Sequence, residues 1–379
     1  MIRKSFLVTS IFAASLLLIS SCLNTGNNQN GSSGQNNSNQ NINPINTTTA
    51  QNTGIHVYAA GVEVGGNGKY RAMYWKDGVP VILDSNSDHN GEADSIFVSG
   101  SDVYVSGIEG FNSGPAIAKY WKNGSPTNLT DGANAASAKS IFVSGSDVYI
   151  AGYEQLGSYP GGFVAKYWKN GVVTNLNAGS TDAFANSIFV LGSDVYIAGD
   201  ERNSSSTDVA KYWKNGVATA LTDGTYSAVA NSIVVSGSDV YVAGYEKNSS
   251  GKFVATYWKN GVIVNLTDGT RDAMANSIFV VGSDVYVAGY EVKAGTTNQN
   301  IAKYWKNGIA TDLTDGAGGA YSQAYSIFVS GSDIYVAGNG PIIAGSGESA
   351  TCWKNGVPTA LTDGLAIIAS ALSVTVTTN

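Results

Sequence analysis

Tryptophan marks a period in this chain. Its seven tryptophans, Trp75, Trp121, Trp168, Trp213, Trp258, Trp305 and Trp353, are spaced 46, 47, 45, 45, 47 and 48 residues apart. Each sits in one copy of a phrase that reads roughly SIFVSGSDVYVAGYE…AKYWKNGVATNLTDG. A repeat of this length is one supersecondary unit. It cannot bury its apolar face alone, so neighbouring copies must pack against one another. That requirement dictates an array of identical units and excludes a conventional single core.

One copy shows what the unit is. Residues 232–235 are a short β-branched run, and residues 236–239 (Ser-Gly-Ser-Asp) carry turn chemistry. A second strand is predicted over 240–244, a third over 255–259 and a fourth over 262–266. Asn260-Gly261 between the last two is a strong hairpin signal, because a type I′ turn needs φ > 0 at both central residues. No useful stretch has helical periodicity. The strands are apolar on both faces, with Val240 and Val242 on one and Tyr241 and Ala243 on the other. A sheet buried on both sides needs neighbours on both sides.

Four antiparallel strands in about 46 residues is the size of a propeller blade. The ends of the array predict closure. It opens at Ile55-His56-Val57-Tyr58, which matches a second strand, and stops after Ala371-Leu372-Ser373-Val374, which matches only a first strand. A C-terminal strand completing the N-terminal blade would latch a ring and leave no open sheet edge. The expected fold is all-β, a seven-bladed β-propeller over residues 55–379 that behaves as a monomer.

As an architecture the array resembles β-propeller proteins, and among them bacterial lipoproteins with YWKNG-type repeats. That likeness implies no activity. The chain departs from the named repeat classes. WD40 blades want Gly-His and Trp-Asp, but here Trp is followed by Lys and the chain has two histidines. Kelch blades want a Gly-Gly doublet, and the YWTD class shares only Tyr-Trp.

The segment ahead of the array reads as an address. Arg3 and Lys4 precede an apolar run over residues 6–19, of signal-peptide length and short for a membrane span. It ends in Ile19-Ser20-Ser21-Cys22, which resembles a bacterial lipobox. The resemblance implies removal of residues 1–21 and attachment of lipid, palmitate included, to Cys22. The alternative is an ordinary secretory signal with an incidental cysteine. Each buried methylene adds about 0.8 kcal/mol, so several acyl chains make a lasting anchor in the membrane. Leu23 follows where inner-membrane lipoproteins commonly carry Asp, so the resemblance favours the outer membrane or cell surface. Residues 22–54, the cysteine and an Asn/Gln/Ser/Thr/Gly tract, are too polar to fold and are expected to be a tether with a reach of about 30 Å.

Without Arg3 and Lys4 the 21 basic residues fall to 19 against 28 acidic ones, a net charge near −9. No basic stripe is visible, so nucleic acid is not an expected partner. Cys352 replaces the tyrosine before Trp in the other copies and reads as a small buried hydrophobe.

Within a blade, turns alternate between the two faces of the ring. The Ser-Gly-Ser-Asp and Lys-Asn-Gly turns share one face and hardly vary. The second-to-third-strand loops, 64–69, 110–115, 155–162, 202–207, 247–252, 292–300 and 341–349, share the other and differ from blade to blade. Variable loops on a uniform scaffold are where recognition sits, unless they have simply drifted.

Three further patterns invite a functional reading. Glu63, Glu109, Glu154, Glu201, Glu246 and Glu291 follow the second strand in six copies. They could form an acidic ring, or each could pair with the lysine two residues before Trp: Lys119, Lys166, Lys211 and Lys303. Blade seven loses both partners, with Gly340 and Thr351, while Glu246 is expected to face Thr256 and Glu63 to face Met73. The pair is the preferred reading, as an exposed one contributing about 0–1 kcal/mol. The loop 86–94 resembles the DxDxDGxxD calcium loop of integrin-type propellers, with Asn in place of two Asp. That likeness implies a Ca²⁺ site from Asn86, Asp88, Asn90 and Asp94, the alternative being a solvated turn; no other cofactor is expected. The tryptophans could be sugar-stacking platforms but are more simply core. No nucleophile–base–acid set is visible: His56 lies in a strand and His89 in a loop.

The expected role is therefore that of a non-catalytic, envelope-anchored binding or scaffold lipoprotein. Its variable-loop face would meet a protein or peptide. The alternative is a lectin-like propeller with several similar glycan sites.

Overall fold

The computed structural model describes residues 54–378, apart from 66–67, 85–89, 111–113, 158–161, 298, 317–320, 342–347 and 363–368. The leader, Cys22 and the tether lie outside the described residues. Twenty-eight strands form seven four-stranded antiparallel sheets, with no helix among the described residues. The blade read above comprises Ala228–Ser236, Asp239–Lys247, Phe253–Lys259 and Val262–Asn265. The first three strands run longer than expected, and the extra residues extend them toward the variable loops.

The ring closes as the half-copies imply. Ala369–Thr378 pairs with Ile55–Val64 as the inner strand of the first blade, from Ile55 opposite Thr378 to Glu63 opposite Ala369. Each inner strand contacts the inner strands of both neighbouring blades, all the way round.

The core is divided into seven interfaces. In one, Tyr196, Ala198 and Ala210 of the fourth blade pack against Ile233, Val235, Val242 and Trp258 of the fifth. Every tryptophan is 0–1% exposed, so each indole fills an interface and none is a platform for a sugar. Cys352 lies in the same kind of cluster, between the seventh blade and the first. The small alanines let sheets approach, and the tryptophan fills what remains.

Two devices recur at the inner edge. The serine after the bulge ties five blades to the next: Ser95 Oγ accepts from Ile141 N at 3.3 Å, and Ser140, Ser187, Ser232 and Ser277 repeat the contact. The second-strand glycine sits under the bulged strand. A Cβ on Gly244 would lie 1.9 Å from the Val229 carbonyl oxygen, so no side chain fits there.

Candidate functional site

The face carrying the invariant turns is chemically closed. In the fifth blade Asn260 and Gly261 take φ of 52° and 80°, the pair a type I′ turn requires. Asn260 Oδ1 accepts from Val240 N at 2.8 Å, and its Nδ2 donates to Asp239 Oδ1 at 2.8 Å. Lys259 Nζ reaches Asp239 Oδ2 at 2.8 Å and lies 5.1 Å above the Tyr241 ring. The lysine's hydrogen bond holds the Asp239 carboxyl below the usual range. The same four groups recur in the blades of Asp102, Asp147, Asp194, Asp284 and Asp333. The first blade has no inner-to-second-strand turn. There Asp77 takes the asparagine's place, and His56 Nδ1 meets its Oδ2 at 2.7 Å. These residues are uniform because they build turns.

Five of the six glutamates are paired; Glu246 has no ion pair among the described residues and lies opposite Val254, with Gly244 opposite Thr256. Lys119 pairs with Glu109, Lys166 with Glu154 at 2.5 Å, Lys211 with Glu201 at 2.5 Å and Lys303 with Glu291 at 2.7 Å. Glu63 reaches Arg71, directly across the strands, at 2.8 Å; Met73 lies opposite Gly61. In the seventh blade Thr351 packs beneath Gly340 and donates to Ser349 O. The Lys119, Lys166 and Lys303 side chains are only 7–10% exposed. The glutamates of three of the lysine pairs stay 17–23% exposed, while the Lys303–Glu291 pair is buried on both sides. Removing one partner of such a pair strands a charge, at far more than the surface value.

The other face is irregular. Its loops are not all unlike, however. Asn203 and Asn248 each accept two backbone N–H groups within their own loop and donate to the glycine carbonyl of the following loop, so the fourth and fifth blades share one design. Around these loops the ring presents aromatic and charged groups unevenly. Leu156, Tyr226 and Tyr321 are 43%, 39% and 48% exposed. Tyr153 packs edge-on against Phe163 and Phe184 at 5.5 and 4.9 Å, and Tyr245 meets Phe253 at 5.0 Å. Arg202 bridges Asp182 and Asp208.

The largest departure lies at the inner strands, where the channel opens on this face. Each inner strand bulges at one residue: Asp94, Lys139, Asn186, Asn231, Asn276 and Tyr325 in successive blades, and Leu372 in the first. The three asparagines donate to the alanine carbonyl of the next blade at 2.9–3.1 Å. Blades two and three replace that neutral contact with an ion pair, Lys139 Nζ to Asp94 Oδ1 at 3.0 Å, with side chains 8% and 3% exposed. Glu92 stands two residues before Asp94. Burial, then repulsion from Asp94, pushes its carboxyl up to about 8. Burial also raises Asp94 despite Lys139. Burial works against the Lys139 charge, but Asp94, Tyr153 and Glu92 outweigh it and hold the ammonium above the usual lysine value. On the fourth blade Asp200 is buried and bonded by Asn186 Nδ2 at 3.2 Å; burial, then Asp208, raises its carboxyl to about 8.

Of the calcium-loop residues, Asn86 and Asp88 lie outside the described residues. Asn90 Oδ1 accepts from Tyr70 N at 2.7 Å, and Asp94 is engaged by Lys139. Glu92, Lys139 and Asp200 escaped the sequence reading because each sits inside a strand that looks apolar. The signal was present in the aligned copies, where EADSIF and SAKSIF stand against FANSIF, VANSIV and MANSIF. A separate open cleft of about 390 Å³ lies between the outer parts of blades two and three, over the Glu154–Lys166 pair and the edge of Trp168.

No protein-family model matches the chain, and no curated protein matches it. Among solved structures it is similar to a puromycin-hydrolyzing peptidase of Mycobacterium tuberculosis, at 11% identity over 81% of this chain and 53% of that one, with a TM-score of 0.53. It is also similar to the uncomplexed acylaminoacyl peptidase of Pyrococcus horikoshii, at 12% identity over 82% of this chain and 51% of that one, with a TM-score of 0.50. The β-propeller domain of the Trilobed protease from Pyrococcus furiosus is 10% identical over 82% of this chain and 93% of that domain, with a TM-score of 0.48. At these identities the likeness concerns the fold alone. The chain spans about half the length of the two peptidases.

Proposed function

We propose that the chain is a non-catalytic, lipid-anchored envelope protein that recognises a protein or peptide through its variable-loop face. The observation that carries this reading is the contrast between the two faces. One is uniform, and its polar groups are used up in building turns. The other displays Tyr, Phe and Arg side chains around the channel, the residue types that anchor protein interfaces. The strand beginning at Ile55 starts on the uniform face, so a tether from Cys22 would attach there and leave the variable face directed away from its anchor. Burial of all seven tryptophans removes the most obvious basis for the lectin alternative.

A photo-cross-linking residue at Tyr226 or Tyr321 is expected to capture a defined partner at one copy per ring, while the same residue at Val217 or Ile309 on the uniform side captures none. Equal capture from both faces, or several identical glycan sites by calorimetry, would overturn the reading. For the anchor, cells are expected to incorporate labelled palmitate into the wild-type chain and not into Cys22→Ser. Labelling of the Cys22→Ser chain would rule out attachment at that thiol.

A further inference from the structure

We propose that Glu92 and Asp94 form a recognition site for a cationic nitrogen, an ammonium or guanidinium carried by the partner, at the channel mouth between the second and third blades. The proposal deepens the peptide-binding reading and rests on it for the identity of the carrier.

Three observations carry it. Glu92 Oε1 and Asp94 Oδ2 are buried and have no hydrogen-bond partner among the described residues, and Asp94 is only 4% exposed. Buried polar atoms without partners are rare and costly, and point to a ligand or a functional role. Among the described residues the one ammonium that reaches Asp94, Lys139 Nζ, meets Oδ1 at 3.0 Å and leaves Oδ2 open. Finally, the fold does not need this arrangement. Three other blades close the same bulge with a neutral asparagine and place Phe184, Val229 or Met274 where Glu92 stands. Glu92 is half-buried and stands second in its strand, Gly91–Ser99, at the end nearest the variable loops. A cationic nitrogen there would donate to both open oxygens and favour the ionised form of Glu92.

The test uses N-acetyl-lysine amide and N-acetyl-arginine amide as probes, with N-acetyl-norleucine amide as the neutral control, titrated into the mature chain by calorimetry or ligand-observed NMR. The cationic probes are expected to bind and the neutral one not to. Glu92→Gln, similar in size but uncharged, should weaken binding by about tenfold or more. The double variant D94N/K139N, which installs the asparagines of the other blades, should weaken it likewise while remaining folded by circular dichroism. Equal binding of the neutral probe, binding unchanged by either variant, no binding of either cationic probe, or Ca²⁺ taking the site in their place would overturn the proposal. If the probes bind but cross-linking finds no partner on the variable face, the peptide reading falls and this site stands. If a partner is captured but E92Q leaves both partner and probes unaffected, this site alone falls.

Discussion

Replacing Lys139 alone with asparagine should destabilise the ring by about 3–5 kcal/mol, and adding Asp94→Asn should restore it to wild-type stability or above. The single substitution removes the cation that Asp94 bonds at 3.0 Å and leaves Asp94 and Glu92 together inside the interface between blades two and three. A buried charge stripped of its partner bears its desolvation cost without the compensating attraction. In the double variant neither position is charged, and both carry the residue that bridges blades at Asn186, Asn231 and Asn276. Exchanging a buried ion pair for a well-fitted neutral contact is often neutral, or stabilising by about 1–4 kcal/mol. Denaturant unfolding of the wild type, K139N, D94N and the double variant forms a complete cycle and isolates the coupling between the two sites. A double variant no more stable than K139N would show that the asparagine contact cannot form here and that the ion pair is a structural necessity.

Asp200→Asn should flatten much of the pH dependence of stability between about pH 5 and 8 and raise stability at the upper end. The folded-state carboxyl lies at about 8, above its ordinary value of 3.8, because burial and the nearby Asp208 disfavour its charge. The groups that face it are Asp208, Asn186, Arg202 and Asp182, with Tyr245 of the next blade. In this window the folded chain binds a proton that the unfolded chain has released. Stability therefore falls as pH rises from the unfolded value toward the folded one, by up to about 1.4 kcal/mol per pH unit. Glu92, raised in the same direction, contributes a second slope of the same sign. The asparagine variant keeps a side-chain oxygen for Asn186 and retains the slopes of Glu92, Asp94 and Glu246, whose carboxyls burial also raises. Unfolding free energies measured across this window test the assignment. Parallel profiles for the wild type and D200N would mean that Asp200 is already ionised in the folded ring.

What could be read from the chain alone is whatever a single copy encodes locally. Alternation, the Asn-Gly and Ser-Gly-Ser-Asp turns and the tryptophan period establish strands, hairpins and blades because these depend on neighbours in sequence. The half-copies at the two ends implied the latch, and Ile55 does pair with Thr378. The lysine–glutamate pairs were also legible, since the partners recur together and are lost together in the seventh blade. The low exposure of Lys119, Lys166, Lys303 and Glu291 was not, because exposure is set by packing that no single repeat contains.

The same limit hid the channel mouth. Bulges at Asp94 and Lys139 appear only when inner and second strands are placed in register, and the meeting of those two side chains needs two blades side by side. Periodicity marks which residues are apolar and which turn, and so determined the ring of seven blades. Only the tertiary structure decided which polar residues are trapped between blades, because desolvation and pairing arise from packing across interfaces and no single repeat contains one.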